Sequence, residues 1–156
     1  MLTTLESTAL AIWVGESLYA YPALLAFHIV GLAIVVGVFA MRDLRLLGFA
    51  QGISLEVFIE LRLLAYFGFA INLVSGLLLF SSQASYLATS IPFLSKISCV
   101  LAGMVLAYFL NNKLSLYVTV ENTTVESSGL VRGLAAISLL LWCAAIIAGR
   151  LIAYVY

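Results

Sequence analysis

Residues 21–40 read YPALLAFHIVGLAIVVGVFA, and this stretch decides the fold class. It is nearly uncharged, and about 20 such residues are enough to cross a hydrocarbon core of about 30 Å. In lipid the segment must be helical, because no water is present to satisfy open backbone groups. The sequence therefore predicts a transmembrane helix over 21–40.

Three further segments, 57–80, 93–110 and 130–154, are apolar enough to span a bilayer in the same way. The 156-residue chain is 65% hydrophobic and only 9% charged, with a mean hydropathy of +1.20. A soluble domain of this size carries far more charge. Because the loops are short, the pattern predicts an all-α membrane protein: an up-down bundle of four transmembrane helices in one membrane domain, 1–156.

The segment before these helices, 4–18, contains Glu6, Ser7 and Glu16 and is a poor spanning segment. Thr4 is expected to cap a helix there, with Trp13 at the level of the lipid headgroups. The sequence predicts a short interfacial N-terminal helix over 4–18.

Orientation follows from the basic residues. Five of the seven flank the first and third loops: Arg42, Arg45, Arg62, Lys113 and Arg132. The positive-inside rule then puts the first and third loops in the cytoplasm and both termini outside. In a bacterial inner (cytoplasmic) membrane, the expected location, that side is the periplasm. The net charge is zero and there is no basic patch, so nucleic acid is excluded as an expected partner.

His28 is the only histidine and lies inside the first spanning segment. An ionisable residue in a membrane helix is a functional candidate by default. Asn72 and Ser75 on the second helix, Lys96 on the third and Arg150 on the fourth lie at similar predicted depths, roughly 6–12 Å from the outer helix ends. The pattern predicts that these side chains face one another in the periplasmic half.

Such a site has one imidazole, two cations and no carboxylate at its own depth, so it favours an anionic group between Lys96 and Arg150. Haem b is the most concrete candidate cofactor. His28 would then be the metal ligand, the two cations would hold the propionates, and a sixth ligand would come from another subunit. The predicted function is a cofactor- or ligand-binding bundle, a candidate b-type haem protein that passes electrons to a periplasmic redox or metal partner.

Other interpretations stay open. His28 can be a hydrogen-bonded structural residue, Lys96 and Arg150 can reach the headgroups, and the Asn72–Ser75 stripe can hold helices together. The chain can also be a small anion or metal transporter or channel, or a structural or assembly subunit of a membrane complex. Nucleophilic or hydrolytic catalysis has no supporting motif, so enzyme activity is undecided.

Two further expectations concern surfaces. The charged residues near the first loop are expected to form an interfacial belt of ion pairs: Arg42, Asp43, Arg45, Glu56, Glu60 and Arg62. Gly37, Gly103 and Gly133 suit close subunit contacts, which predicts a homo-oligomer in the lipid membrane.

Several strings resemble a family of small bacterial inner-membrane proteins of unknown function. They are Tyr21-Pro22, His28 with Gly31, Asp43 to Gly48, Ser75-Gly76, Lys96 and Gly149-Arg150. The resemblance runs from about Leu18 to Tyr154 and implies a four-helix bundle in which His28, Lys96 and Arg150 matter. The first helix is also similar to those of CopD-type copper-handling membrane proteins, whose additional His and Met ligands are missing here.

Overall fold

The computed structural model describes residues 2–49, 51–119 and 129–154 of the chain, and its regular structure there is all helical. The helices are α1 (Leu2–Glu6), α2 (Ala9–Glu16), α3 (Ala20–Leu47), α4 (Leu55–Ser82), α5 (Ala84–Leu87), α6 (Ile91–Thr119) and α7 (Gly129–Leu151). Four of them, α3, α4, α6 and α7, are long and apolar enough to cross a membrane. The predicted all-α, multi-pass membrane bundle is confirmed.

The first spanning helix is longer than its apolar run. It continues past Ala40 to Leu47 and ends at Gly48, whose φ of 97° is left-handed. The Gly48 N–H donates to the Arg45 carbonyl (3.1 Å) and the Phe49 N–H to the Leu44 carbonyl (3.0 Å). Glycine suits this cap because a Cβ is strained at positive φ. The extension brings the charged residues after Ala40 into the bundle.

The N-terminal segment forms two short helices, α1 and α2, where the sequence predicted one. The Thr8 side chain accepts from the Ala11 N–H (3.3 Å) and caps α2, the role expected of Thr4. Ala11 and Val14 are buried, while Trp13 on the opposite face is 59% exposed. The structure therefore leaves an apolar surface on α2 directed away from the bundle, as the interfacial prediction requires.

The four long helices form a ring. α3 packs on α4 and α7, and α6 packs on α7 and less extensively on α4. α3 and α6 are therefore diagonal partners. In an up-down arrangement they also run in the same direction, so residues at matching heights can face each other across the centre.

The α3 and α4 backbones approach each other closely at Gly31. A Cβ added to Gly31 would lie 2.7 Å from both the Asn72 nitrogen and the Gly68 carbonyl oxygen. Only glycine allows this approach, as is usual where membrane helices pack backbone to backbone. The approach sets the distance between His28 and the polar residues of α4.

The middle of the bundle is apolar. Its buried core consists of Val35, Phe39, Ala65, Ala107 and Trp142. The Phe39 and Trp142 rings stack with centroids 5.8 Å apart. Gly103 packs against the Trp142 indole, so it is used inside the chain and is not free for the subunit contact predicted for it. The predicted third loop, residues 119–128, lies almost entirely outside the described residues.

Candidate functional site

The His28 ring lies between α4 and α6 and is half-buried. Its Nδ1 is 2.9 Å from the Asn72 carbonyl oxygen and 3.3 Å from Ser75 Oγ. Ser75 Oγ lies 2.6 Å from the Ile71 carbonyl, to which it donates. Because a carbonyl oxygen can only accept, the proton sits on Nδ1. The ring is therefore oriented with its other nitrogen, Nε2, toward the bundle centre.

Lys96 on α6 completes the contact. Its Nζ lies 3.0 Å from His28 Nε2, which accepts the hydrogen bond through its lone pair. An imidazolium would place an N–H against the ammonium, so this arrangement belongs to a neutral His28. The lysine stem crosses α7 at Gly149, where an added Cβ would lie 3.4 Å from Lys96 Cδ. Lys96 thus links the diagonal helices α3 and α6.

Asn72 holds the backbone of α3 as well as its histidine. The Asn72 Nδ2 donates to the His28 carbonyl at 2.8 Å, while the Asn72 carbonyl accepts from the His28 ring. Glycine makes room for the imidazole on α4, since a Cβ on Gly76 would lie 2.9 Å from His28 Cε1. The ring therefore has its two nitrogens and one face defined by neighbouring helices.

The structure brings together four of the five predicted site residues. Arg150 is the exception, because its side chain is exposed and turns to Tyr154. Its Nη2 lies 3.5 Å from Tyr154 Oη, and its guanidinium lies 5.7 Å from the centroid of that ring. Arg150 follows directly on Gly149, so it is close to the lysine stem without touching the imidazole.

The charge at this site is not balanced by a carboxylate. Among the described residues, the one ion pair is that of Arg42 and Asp43 in the opposite half of the bundle. Glu16, the last residue of α2, is exposed. Lys96 therefore has a neutral imidazole as its described partner, and the remaining donors of its ammonium are available to a ligand.

A second polar layer, missed by the sequence interpretation, lies near the other ends of α3 and α6. Arg42 and Asp43 are 1% and 0% exposed, so they do not belong to an interfacial belt of ion pairs as predicted. Arg42 Nε and Nη2 donate to Asp43 Oδ1 at 2.9 and 2.6 Å. Arg42 Nη1 reaches Asn111 Oδ1 on α6 at 2.8 Å.

The rest of the predicted belt also differs. Arg45 is buried, and its Nε donates to the Ile53 carbonyl at 2.6 Å. Glu56, Glu60 and Arg62 are exposed, and none of them is ion-paired in the described part of the chain. A sequence signal for the buried layer existed: Arg42 follows His28 by 14 residues, nearly four helical turns, so both lie on one face of α3.

Each polar layer contains a hydrogen bond between the diagonal helices α3 and α6. His28–Lys96 and Arg42–Asn111 each join α3 to α6. On α3 their positions differ by 14 residues, roughly 21 Å along the helix. The stacked Phe39 and Trp142 rings lie between them. The bundle thus has a polar contact near each end and a closed apolar centre.

The site as arranged does not fit haem b. Iron would need a free imidazole nitrogen, whereas His28 Nδ1 is held by Asn72 and Nε2 by Lys96. The ring also packs directly on α4 at Gly76. Within the described residues, no group of three or more His, Cys, Asp or Glu side chains is placed to hold a metal ion. The haem and metal predictions stay predictions, without support from this geometry.

Comparisons with known protein families, curated proteins and solved structures find no match to this chain. The resemblance to a bacterial inner-membrane family therefore stays a prediction. The two polar layers are the features of the molecule that point to a function.

Proposed function

We propose that the protein is a membrane-embedded ligand-binding bundle in which Lys96, held in place by His28, binds the anionic group of a small ligand. The observation that carries the proposal is the lysine ammonium, half-buried in a spanning helix and hydrogen-bonded to a neutral ring. A charge in this position is costly unless an opposite charge accompanies it. An anion from outside the chain would supply that charge.

The same molecule contains the contrasting case. The guanidinium of Arg42 is also buried in a spanning helix, but Asp43 neutralises it within the chain. The chain therefore provides a carboxylate for one membrane-embedded cation and none for the other among the residues described. This difference supports a binding role for Lys96 and a structural role for Arg42.

The chemistry of the ligand follows from the groups that would hold it. Lys96 offers a point charge with donors to spare, which suits a carboxylate or a phosphate. Arg150 adds an exposed cation beside Gly149, where an extended ligand would meet it second. His28 acts as a positioning residue, because its Nε2 holds the ammonium in place.

The cellular setting is part of the proposal. We place the protein in a bacterial inner membrane, as the resemblance implies, and the positive-inside count then favours an orientation with the His28–Lys96 end toward the periplasm. The ligand would then enter from the periplasm or from the outer leaflet. A homo-oligomer is also proposed, with Gly37 and Gly133 as contact positions, since an added Cβ at either meets nothing within 4 Å. Native mass in several detergents tests it, and a monomer in all of them would contradict it.

The test uses the single histidine as a probe. Protein labelled with ¹⁵N-histidine gives ring signals from His28 alone, in nanodiscs of zwitterionic phosphatidylcholine. Three arms add inorganic phosphate, acetate, or phosphatidylglycerol in the nanodisc. We expect a saturable shift of the Nε2 signal in at least one arm. Phosphate or acetate alone would indicate a soluble anion, and phosphatidylglycerol alone would indicate a lipid headgroup.

Matched variants identify the group responsible. Lys96→Gln keeps a hydrogen-bond donor but removes the charge, so the shift should disappear. Lys96→Arg should retain it, and Lys113→Gln at an exposed position of α6 should leave it unchanged. A spectrum that never responds, or a Lys96→Gln variant that responds like the original, would contradict the proposal. So would a Soret band that is lost in His28→Ala, which would restore haem b.

A further inference from the structure

The layer opposite the His28 site is a second polar centre, built from three helices. It comprises Arg42 and Asp43 on α3, Asn111 on α6 and Ser138 and Trp142 on α7, which we call the Arg42 layer. All five side chains are at most 4% exposed. Arg42 also donates to the Ala107 carbonyl at 3.2 Å, and its guanidinium lies 5.0 Å from the Phe39 ring centroid. Arg42 is therefore fixed from several sides.

Four polar atoms in this layer have no hydrogen-bond partner among the described residues. They are Asp43 Oδ2, Asn111 Nδ2, Ser138 Oγ and Trp142 Nε1. Ser138 lies within hydrogen-bonding reach of the Asp43 carboxylate, although neither Asp43 Oδ2 nor Ser138 Oγ has a hydrogen bond of ordinary geometry. Buried polar atoms are nearly always satisfied by protein or by water, and leaving one unpaired is costly. Four together in one layer call for an explanation.

The kinds of atoms identify the ligand class. Asp43 Oδ2 needs a donor, Asn111 Nδ2 and Trp142 Nε1 need acceptors, and the Ser138 hydroxyl takes either. An anion would satisfy only the donors, and a cation would satisfy only the acceptors. The charges of Arg42 and Asp43 already cancel, so no further ion is required. Water both donates and accepts, and buried waters typically have two to four polar partners.

We propose that the Arg42 layer binds water, which hydrogen-bonds to Asp43 Oδ2 and Ser138 Oγ and connects α3 to α7. The inference is independent of the proposed anion site, since it uses none of the residues there. It makes the layer a hydrogen-bonded network across three helices rather than an isolated ion pair. Removal of the Ser138 hydroxyl should then lower the melting temperature if the hydroxyl binds water, and raise it if the hydroxyl has no partner.

The first measurement is the melting temperature of Ser138→Ala in detergent. If Ser138 Oγ were truly unpaired, its removal would relieve a cost and raise the melting temperature. If the hydroxyl binds a bridging water, its removal should lower it. Ser98→Ala, at an exposed position of α6, measures the intrinsic gain from alanine in a helix and is the reference. We expect Ser138→Ala to melt below Ser98→Ala.

The second measurement is hydroxyl-radical labelling, in which radicals form from water at the site. Trp142 is 1% exposed, yet a water in the Arg42 layer should make it reactive. Phe58, similarly buried in a cluster of apolar residues, is the unreactive reference, and exposed Trp13 gives the upper limit. The proposal is overturned if Trp142 is labelled no more than Phe58, or if Ser138→Ala melts at or above Ser98→Ala.

Discussion

At the scale of single residues, two cations in similar settings have different partners. Arg42 has a carboxylate one residue away on its own helix, and a guanidinium can bind it through two nitrogens. Lys96 meets the imidazole of His28. The Asn72 carbonyl keeps the ring proton on Nδ1, so the lone pair of Nε2 is free to accept from Lys96. Arg42 is therefore neutralised within the chain, whereas Lys96 has no carboxylate partner among the described residues.

Asp43→Asn tests the structural role of the first cation. The substitution keeps the shape but leaves a buried guanidinium without its counter-charge. Breaking a buried ion pair in this way costs about 3–5 kcal/mol. We expect the free energy of unfolding in detergent to fall by that amount. The double variant Arg42→Met with Asp43→Asn should recover a large part of the loss, and a single variant as stable as the original would contradict the assignment.

At the scale of helices, the α3–α4 contact positions the candidate site. Gly31 lets the two backbones meet, and Asn72 then bonds the His28 carbonyl and accepts from its ring. A wider separation would break both bonds together. The glycine is therefore a positioning element for the imidazole, although it touches no ligand.

Gly31→Ala should separate these helices. The new Cβ would lie 2.7 Å from backbone atoms of Asn72 and Gly68, which cannot rotate away as a side chain can. Overpacking of this kind costs about 1–3 kcal/mol. We expect a loss of stability of that order and a shift of the His28 Nδ1 signal. Gly129→Ala, at the start of α7, meets nothing within 4 Å and should change neither.

The sequence predicted the helices better than their ends. Uncharged runs of spanning length define α3, α4, α6 and α7, because lipid excludes any other backbone structure. The end of α3 was placed at Ala40 because charges follow, yet Asp43 neutralises Arg42 and the helix continues to Gly48. The buried position of this pair depends on its contacts with Ala107 and Asn111 of α6, which a hydropathy pattern does not contain.

The candidate site was predictable in part. Depth along each helix put His28, Asn72, Ser75 and Lys96 at one level, and the structure brings them into contact. Arg150 shared the level but not the direction, since its exposed side chain turns to Tyr154. Depth follows from counting residues, whereas the rotation of each helix depends on how all four pack.

At the scale of the whole molecule, the described residues contain four candidate spans, an even number. The regions before α3 and after α7 should therefore share one side. Of the five basic residues that flank the first and third loops, Arg62, Lys113 and Arg132 are exposed and can be exchanged without disturbing the buried Arg42 layer.

Reporter fusions test this orientation. A C-terminal fusion to a reporter active only in the cytoplasm should be inactive, and insertion of the same reporter in the first loop should be active. Exchange of Arg62, Lys113 and Arg132 for glutamine should weaken or invert the pattern. An active C-terminal fusion in the unaltered protein would reverse the proposed direction of ligand entry.

The diagonal contacts between α3 and α6 also have a mechanical consequence. Two contacts at different heights resist sliding of α3 along α6, because such a movement would stretch both the His28–Lys96 and the Arg42–Asn111 hydrogen bonds. A ligand that draws Lys96 away from the imidazole would break the first contact and leave Arg42–Asn111 to hold α3 against α6. Binding at one end of the bundle would then change its rigidity at the opposite face of the membrane.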